Sequence, residues 1–378
     1  MSDQEEQSMS DVLHRVDDPI HVTRAFLPEL EEYQEYVAQI FQSGTITNFG
    51  PLVKELERAL CDKLQVANTL FVGNGTLALQ LAIKALDLKG EIITTPYSYV
   101  ATTSSILWEN CTPVFTDILS NTFCLDPDKI EERITQNTSA ILATHVYGVP
   151  CDVKKIQKIA DEHGLKVIYD GAHAFGTKFN GRSLLMHGDL STASFHATKL
   201  YHTVEGGAVF CKDEKMFEKL KLMRSFGHIG DDHISLGINA KNSEFHAAMG
   251  LCNLRHVDEI MAKRKEQWLQ YQERLEGREM ELLEIPKGTE YNYAYFPIVF
   301  QNGSQMSRVF KTLAQDQIFP RRYFYPSLNK LKYLNSEDVC PISERMANTV
   351  ICVPLFHDLR FDQIDRICNL ILDVISSR

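Results

Sequence analysis

Three stretches of this sequence place reactive or anion-binding groups directly after short apolar runs. The first is Gly73-Asn-Gly75-Thr76, which follows Phe71-Val72 and opens a helical pattern. Glycines at a strand-to-helix turn let backbone N–H groups approach an anion, and the helix N-terminus adds positive potential. Thr76 adds a hydroxyl donor. The second stretch is Asp170-Gly-Ala-His173, after Lys166-Val-Ile-Tyr169. A carboxylate at the end of an apolar strand is poorly solvated unless it is paired. The third is His196-Ala-Thr-Lys199, after Ala193-Ser-Phe195 and continued by Glu205-Gly206-Gly207. A lysine held in a pocket loses basicity and can form a Schiff base with a carbonyl. Each stretch also has a plainer reading. Glycine turns are common, an Asp caps a following turn, a core His bonds to backbone, and most lysines lie at the surface. The ordered combination favours one shared site. A phosphate cup, an acid for a protonated ring nitrogen and a Schiff-base lysine together point to pyridoxal phosphate (PLP), whose protonated pyridine is an electron sink.

The elements around these groups read as alternating strands and helices from about residue 68 to 225. Strands are expected at Thr69–Val72, Glu91–Thr94, Pro113–Thr116, Ala140–Ala143, Lys166–Tyr169, Ala193–Phe195 and Gly207–Cys211. Helices are expected at Thr76–Leu88, Tyr99–Trp108 and Val153–His163, from apolar residues at helical spacing. Such alternation means right-handed crossovers and an α/β fold with a mostly parallel sheet covered on both faces. Ligands then bind beyond the carboxyl ends of the strands, where the chemistry-bearing residues fall. A charged helical stretch over 242–276 reads as a connector. Beyond it, a strand at Tyr295–Phe300, a helix at Ser304–Ala314, a strand at Thr349–Val353 and a helix at Phe361–Ser376 make a smaller α+β domain. The expected organisation is a tail over 1–20, a large domain over 21–245, and the connector with a small C-terminal domain over 246–378.

Composition narrows the classes. The 378 residues suffice for a large core and a satellite domain. A net charge of -11 disfavours a nucleic-acid binder, because phosphate is repelled. No apolar run approaches the ~20 residues of a membrane span. Met1 to Asp18 is acidic and polar, without a signal-peptide core, and reads as a frayed tail. The nine cysteines form no CxxC pair and suit a reducing cytoplasm. There is no HxxxH or HxH pair for a catalytic metal, no GxSxG, and no GxGxxG dinucleotide fingerprint.

Further motifs join the first three. They are Ser43-Gly-Thr-Ile-Thr-Asn48-Phe49-Gly50-Pro51, Gly73-Asn-Gly-Thr-Leu-Ala-Leu79, Thr95-Pro-Tyr-Ser-Tyr-Val-Ala-Thr102, Tyr169-Asp-Gly-Ala-His-Ala-Phe-Gly176, Ser194-Phe-His-Ala-Thr-Lys199 with Glu205-Gly-Gly207, and Tyr325-Pro326. In this order, over about residues 20 to 375, the chain resembles the DegT/DnrJ/EryC1/StrS nucleotide-sugar aminotransferases of PLP fold type I. The resemblance implies a seven-stranded sheet, Lys199 as the cofactor lysine and proton shuttle, and Asp170 against the pyridinium nitrogen. It implies Gly75, Thr76 and Ser194 on the phosphate, Tyr99 stacked on the ring and His173 beside it. Asn239 would reach the phosphate of a neighbouring subunit, in a homodimer with shared active sites. Asn48, Phe49, Glu205 and Tyr325 would lie near the sugar. Two positions depart from the family pattern. Tyr169 stands where an acid is usual, and Ala240-Lys241-Asn242 stands where many members carry an Arg-Met pair.

A lysine rather than a histidine at 199 implies transamination. The segment from Phe195 to Gly207 most resembles enzymes acting at C4 of a dTDP-4-keto-6-deoxyhexose. The expected reaction moves the amino group of L-glutamate to dTDP-4-dehydro-6-deoxy-D-glucose, with a surface glycan such as O-antigen as destination. Amination at C3 is the second enzymatic reading, and a non-catalytic regulatory or structural paralogue is a reading of another class. Arg224, Arg321 and Arg322 are the basic residues considered for the nucleotide diphosphate.

Overall fold

The computed structural model describes residues 19–334 and 336–377. The expected frayed segment Met1 to Asp18 lies outside them. The central sheet has seven strands: β1 (Asn68–Val72), β2 (Glu91–Thr94), β3 (Thr112–Phe115), β4 (Thr138–Thr144), β5 (Lys166–Asp170), β6 (Leu190–Ser194) and β7 (Gly207–Cys211). Their spatial order is β1-β7-β6-β5-β4-β2-β3. All neighbours pair in parallel except at β7, which is antiparallel to both β1 and β6. All but the first residue of β5 and the whole of β7 are buried, as a sheet covered on both faces requires.

The helices are α1 (Leu30–Ser43), α2 (Pro51–Leu64), α3 (Gly75–Ala85), α4 (Val100–Trp108), α5 (Val153–His163), α6 (Glu214–Met223), α7 (Glu244–Leu275), α8 (Gly303–Gln315), α9 (Pro341–Thr349) and α10 (Phe361–Ser376). The start of α3 is fixed by Asn74, whose side chain accepts the Leu77 N–H at 2.9 Å. α5 shows a strong apolar stripe, Val153, Ile156, Ile159 and Ala160, on the face packed against the sheet. The small domain packs α8, α9 and α10 around β8 (Met280–Leu282), β9 (Phe296–Phe300) and β10 (Val350–Val353).

Several boundaries differ from the sequence reading. The strand expected at Ala193–Phe195 is Leu190–Ser194, because its pairing with β7 runs back to Leu190 against Cys211. The helix expected to reach Leu88 ends at Ala85, and Asp87 takes a left-handed φ of 54°. α1, α2, α6 and α9 were not assigned from sequence. Ile20 is buried and pairs with Ile318, while His21 pairs with Phe319, so the chain joins the small domain there before entering the large one.

One carboxylate ties the connector helix to the large domain. Glu244, at the first turn of α7, is 1% exposed and accepts the Leu52 and Val53 N–H groups at 2.8 and 3.0 Å. It thereby caps α2, which begins after Gly50 with Pro51 and has no side-chain cap of its own. A Gln can accept only one of the two bonds and presents its NH2 to the other donor. Glu244→Gln is therefore expected to destabilise the fold by about 1–3 kcal/mol, read as a lower midpoint in urea unfolding.

Candidate active site

The chemistry-bearing side chains converge at the carboxyl ends of β1, β2, β4, β5 and β6. They line a cavity of about 360 Å³ that includes Gly75, Thr76, Ser98, Tyr99, Thr144, Asp170, His173, Ser194, Lys199, Glu205 and Arg321. The cavity lies where the strand order reverses, with β3 on one side of β2 and β4 on the other.

Each wall has a structural cause. Asn74 takes the Leu77 N–H, which leaves the N–H groups of pocket-lining Gly75 and Thr76 without a helical partner. Gly75 has to be glycine: a Cβ there would sit 2.9 Å from Ser194 Cβ. The glycine turn is also held from behind, where the Gly73 N–H donates to the Ala240 carbonyl at 2.9 Å. Asp170 ends β5 and is 5% exposed. Its Oδ2 accepts the Thr102 hydroxyl at 2.8 Å and its Oδ1 accepts the Ala172 N–H at 3.0 Å. Burial pushes its carboxyl above the usual range, and the Thr102 bond, the Ala172 bond and the Lys199 charge oppose that.

Lys199 sits in the turn between β6 and β7, its N–H bonded to the His196 carbonyl at 2.9 Å. Burial, opposed by Asp170 and helped by Arg321, lowers its amine to about 8. An amine in that range is partly unprotonated near neutral pH, as a nucleophile and proton carrier must be. His173 is held neutral by burial, well below its ordinary value. Its Nδ1 accepts the Tyr147 N–H at 3.1 Å, its carbonyl accepts Asn292 Nδ2 at 2.7 Å, and its ring stacks on Phe324 at 5.7 Å and 8°. The backbone bond is the one the plainer reading of a core histidine offered, and the residue also lines the cavity. Tyr99 is 56% exposed at the cavity rim.

Not every residue singled out from sequence reaches this cavity. Asn48, Phe49, Asn239 and Tyr325 do not line it. Asn48 and Asn239 are exposed, and Asn239 forms a β-bridge with Ser225. Arg224 is not free for a diphosphate: it is 4% exposed, ion-paired with Glu57 at 2.5 Å and bonded to the Phe71 carbonyl at 2.7 Å. Arg322 lies over the Tyr325 ring at 3.4 Å. Arg321 alone of the three lines the cavity. At the two departures, Tyr169 stacks on His145 at 4.6 Å, and the Asn242 side chain donates to the Glu205 carbonyl at 2.9 Å. Sequence reasoning assigned no role to Ser98, Thr102 or Thr144. Two of these lie in the quoted Thr95–Thr102 motif, and small hydroxyl residues just after a strand were the available signal.

The donor set fits a phosphorylated pyridine aldehyde. Free N–H groups at a glycine turn suit a dianionic phosphate, a buried carboxylate suits a ring N–H, and a low-basicity lysine suits a carbonyl carbon. Fold and site together define the class of fold type I, PLP-dependent aminotransferases. Residues 29–372 match the family model described as the DegT/DnrJ/EryC1/StrS aminotransferase family, and the chain belongs to that family. A dTDP-4-amino-4,6-dideoxy-D-glucose transaminase of Shigella dysenteriae is 42% identical, over 94% of this chain and 99% of that one. One of the same name from Escherichia coli is 39% identical, over 94% and 99%. A crystal structure of DesI in the presence of its TDP-sugar product superposes with a TM-score of 0.91 at 31% identity, covering 96% of this chain and 94% of that one.

The Gly75 contact gives a direct check of the cup. Gly75→Ala forces helix α3 away from Ser194 and is expected to weaken PLP binding at least tenfold. Titration of the cofactor-free protein, followed by absorbance, measures it.

Proposed function

We propose that this aminotransferase moves the amino group of L-glutamate to C4 of dTDP-4-dehydro-6-deoxy-D-glucose, giving dTDP-4-amino-4,6-dideoxy-D-glucose. The observation that carries the reading is the meeting of Lys199, Asp170 and the N-terminus of α3 in one cavity. The sugar comes from the likeness to transaminases named for that product.

Bound PLP supplies an electron sink for the pair released at the donor Cα. Asp170 would accept from the ring N–H and keep that nitrogen protonated. Gly75, Thr76 and Ser194 would hold the phosphate, and Tyr99 would cover the ring from the cavity rim. Lys199 Nζ would hold the cofactor between turnovers. Once displaced, it removes the proton from the donor Cα, and in the return half-reaction it delivers one to C4 of the sugar. Arg321 is the cation available for the anionic parts of both substrates. Among the described residues no carboxylate pairs with it, and its guanidinium lies 5.0 Å from the Tyr323 ring centroid. Glu205 and His196, 3.7 Å apart, stand at the mouth on the sugar side.

The working unit is a homodimer. The hairpin His228–Ile229/Asp232–His233 and its flanks expose Phe226, Ile229, Ile234, Leu236 and Ile238, an apolar patch that calls for a partner surface. Asn239 follows directly and would reach the neighbouring subunit's cavity, with Asn48, Phe49 and Tyr325 completing the sugar site across the interface. No helix among the described residues is long and apolar enough to cross a membrane, and we place the enzyme in the cytoplasm, supplying a surface glycan such as O-antigen.

Two measurements test this. L-Glutamate should bleach the visible band of the PLP-loaded enzyme, and dTDP-4-dehydro-6-deoxy-D-glucose should restore it, with Lys199→Ala abolishing steady turnover. Recovery with a 3-keto sugar alone would move the chemistry to C3. A colourless protein that ignores added PLP would remove the catalytic reading. Separately, Leu236→Asp is expected to shift sedimentation from dimer toward monomer and to lower turnover at least tenfold.

A further inference from the structure

Three buried hydroxyls lead in single file to Asp170. Thr102 Oγ1 lies 2.8 Å from Asp170 Oδ2, Ser98 Oγ lies 2.7 Å from Thr102 Oγ1, and Thr144 Oγ1 lies 3.1 Å from Ser98 Oγ. Ser98, Thr102 and Thr144 are 2%, 0% and 2% exposed. They come from separate elements: the turn after β2, the first turn of α4 and the last residue of β4. Thr144 stands opposite Asp170 in the register of β4 and β5. The file therefore closes back on the strand pair it started from, one strand from the point where the strand order reverses.

The direction of the file is fixed by proton counting. An ionised carboxylate only accepts, and each hydroxyl has one proton to give. Thr102 spends its proton on Asp170, so Ser98 must donate to Thr102, and Thr144 must donate to Ser98. Donors aligned this way polarise one another in a low-dielectric interior. Protonation of Asp170 would turn the acceptor at the end of the file from an anion into a neutral oxygen and weaken the bond from Thr102.

We infer that Thr102, Ser98 and Thr144 form a one-way hydrogen-bond chain that keeps Asp170 ionised and aimed, and so sets the acid side of the enzyme's pH range. These are positioning residues, since they act through Asp170. The inference rests on Asp170 facing the cofactor ring. Other charged or titratable groups around Asp170 are Lys199 from the turn after β6, His173 from its own turn, His145 from the turn after β4 and Arg321 from the small domain. His145 and His173 are held neutral by burial. Neither Lys199 nor Arg321 is a member of the hydroxyl chain, and Lys199 feels a change in it only through the charge on Asp170.

The sign follows directly. Burial raises the Asp170 carboxyl and the Thr102 bond lowers it. Loss of that bond raises it further, so protonation begins at higher pH.

The experiment uses the PLP-loaded enzyme and two readouts: the pH titration of its visible band, and steady-state kinetics. Thr102→Val keeps the shape and removes the donor. The acid limb of the titration should rise by about one pH unit, a tenfold change in the proton equilibrium. kcat should fall about tenfold with KM for the sugar nucleotide held. Thr102→Ser should restore both, and Ser98→Ala, which leaves α4 intact, should move the limb the same way by less. A Thr102→Val enzyme with a lower melting temperature but an unmoved titration would overturn the inference, leaving Thr102 a packing role. If Thr102→Val does not fold, an unmoved titration in Ser98→Ala overturns it. Asp170→Asn separates the two levels: if that variant leaves titration and turnover unchanged, the placement of Asp170 against the ring fails instead.

Discussion

A carboxylate at the end of a buried central strand has to be charged to do its work, and its burial drives it toward neutrality. Asp170 carries that conflict, and much of the large domain is arranged to resolve it. β5 has to lie inside the sheet, so that its last residue opens into a cavity screened from water. The opposing terms then come from the neighbours: a hydroxyl from α4, the Ala172 N–H from its own turn and the Lys199 charge from the turn after β6. The same low dielectric that makes an unpaired carboxylate costly makes each of these contacts stronger than it would be in water.

Lys199 is the mirror image of that problem. Its burial favours the neutral amine, and Asp170 opposes this while Arg321 assists. The two groups hold each other within working range: without Asp170 the lysine would lose more of its basicity, and without Lys199 the carboxyl would rise further. Their positions at the ends of β5 and after β6, adjacent parallel strands, are what make the coupling possible. A fold that separated these strands by a third would keep both residues and lose the mutual tuning.

The main sheet was legible because its strands are short apolar runs bounded by turns, and because buried parallel strands need no partner sequence to be recognised. Glu91–Thr94 matches the expected limits for that reason, and the antiparallel Gly207–Cys211 matches because it too is a buried apolar run. The glycine cup, Asp170 and Lys199 were legible as types at strand ends. What sequence could not display is pairing over distance. Arg224 reads as an available cation until Glu57 is found beside it, and the hydroxyl file to Asp170 joins residues that no spacing rule connects. Asn48, Phe49, Asn239 and Tyr325 belong to the same difficulty one level up: they lie outside the cavity of a single chain, and the role proposed for them needs a second subunit that no spacing rule describes.

A net charge of -11 repels an anionic substrate at long range. The conflict is one of scale. Charges on the outer surface are screened over about a Debye length of 8 Å in physiological salt, whereas groups lining a partly closed cavity are screened far less. Inside the cavity the fixed positive terms are the free N–H groups of α3, Lys199 and Arg321, against Asp170 on the floor and Glu205 at the mouth. In the proposed reading the cofactor's phosphate would take the first of these and Asp170 would face the ring, which leaves Arg321 as the cation without a resident counter-charge. In the proposed ping-pong reaction the two substrates visit this cavity in turn, and both are anions. One uncommitted arginine, anchored through its backbone to Cys352 of the small domain, can serve each in succession, because neither substrate is present while the other reacts.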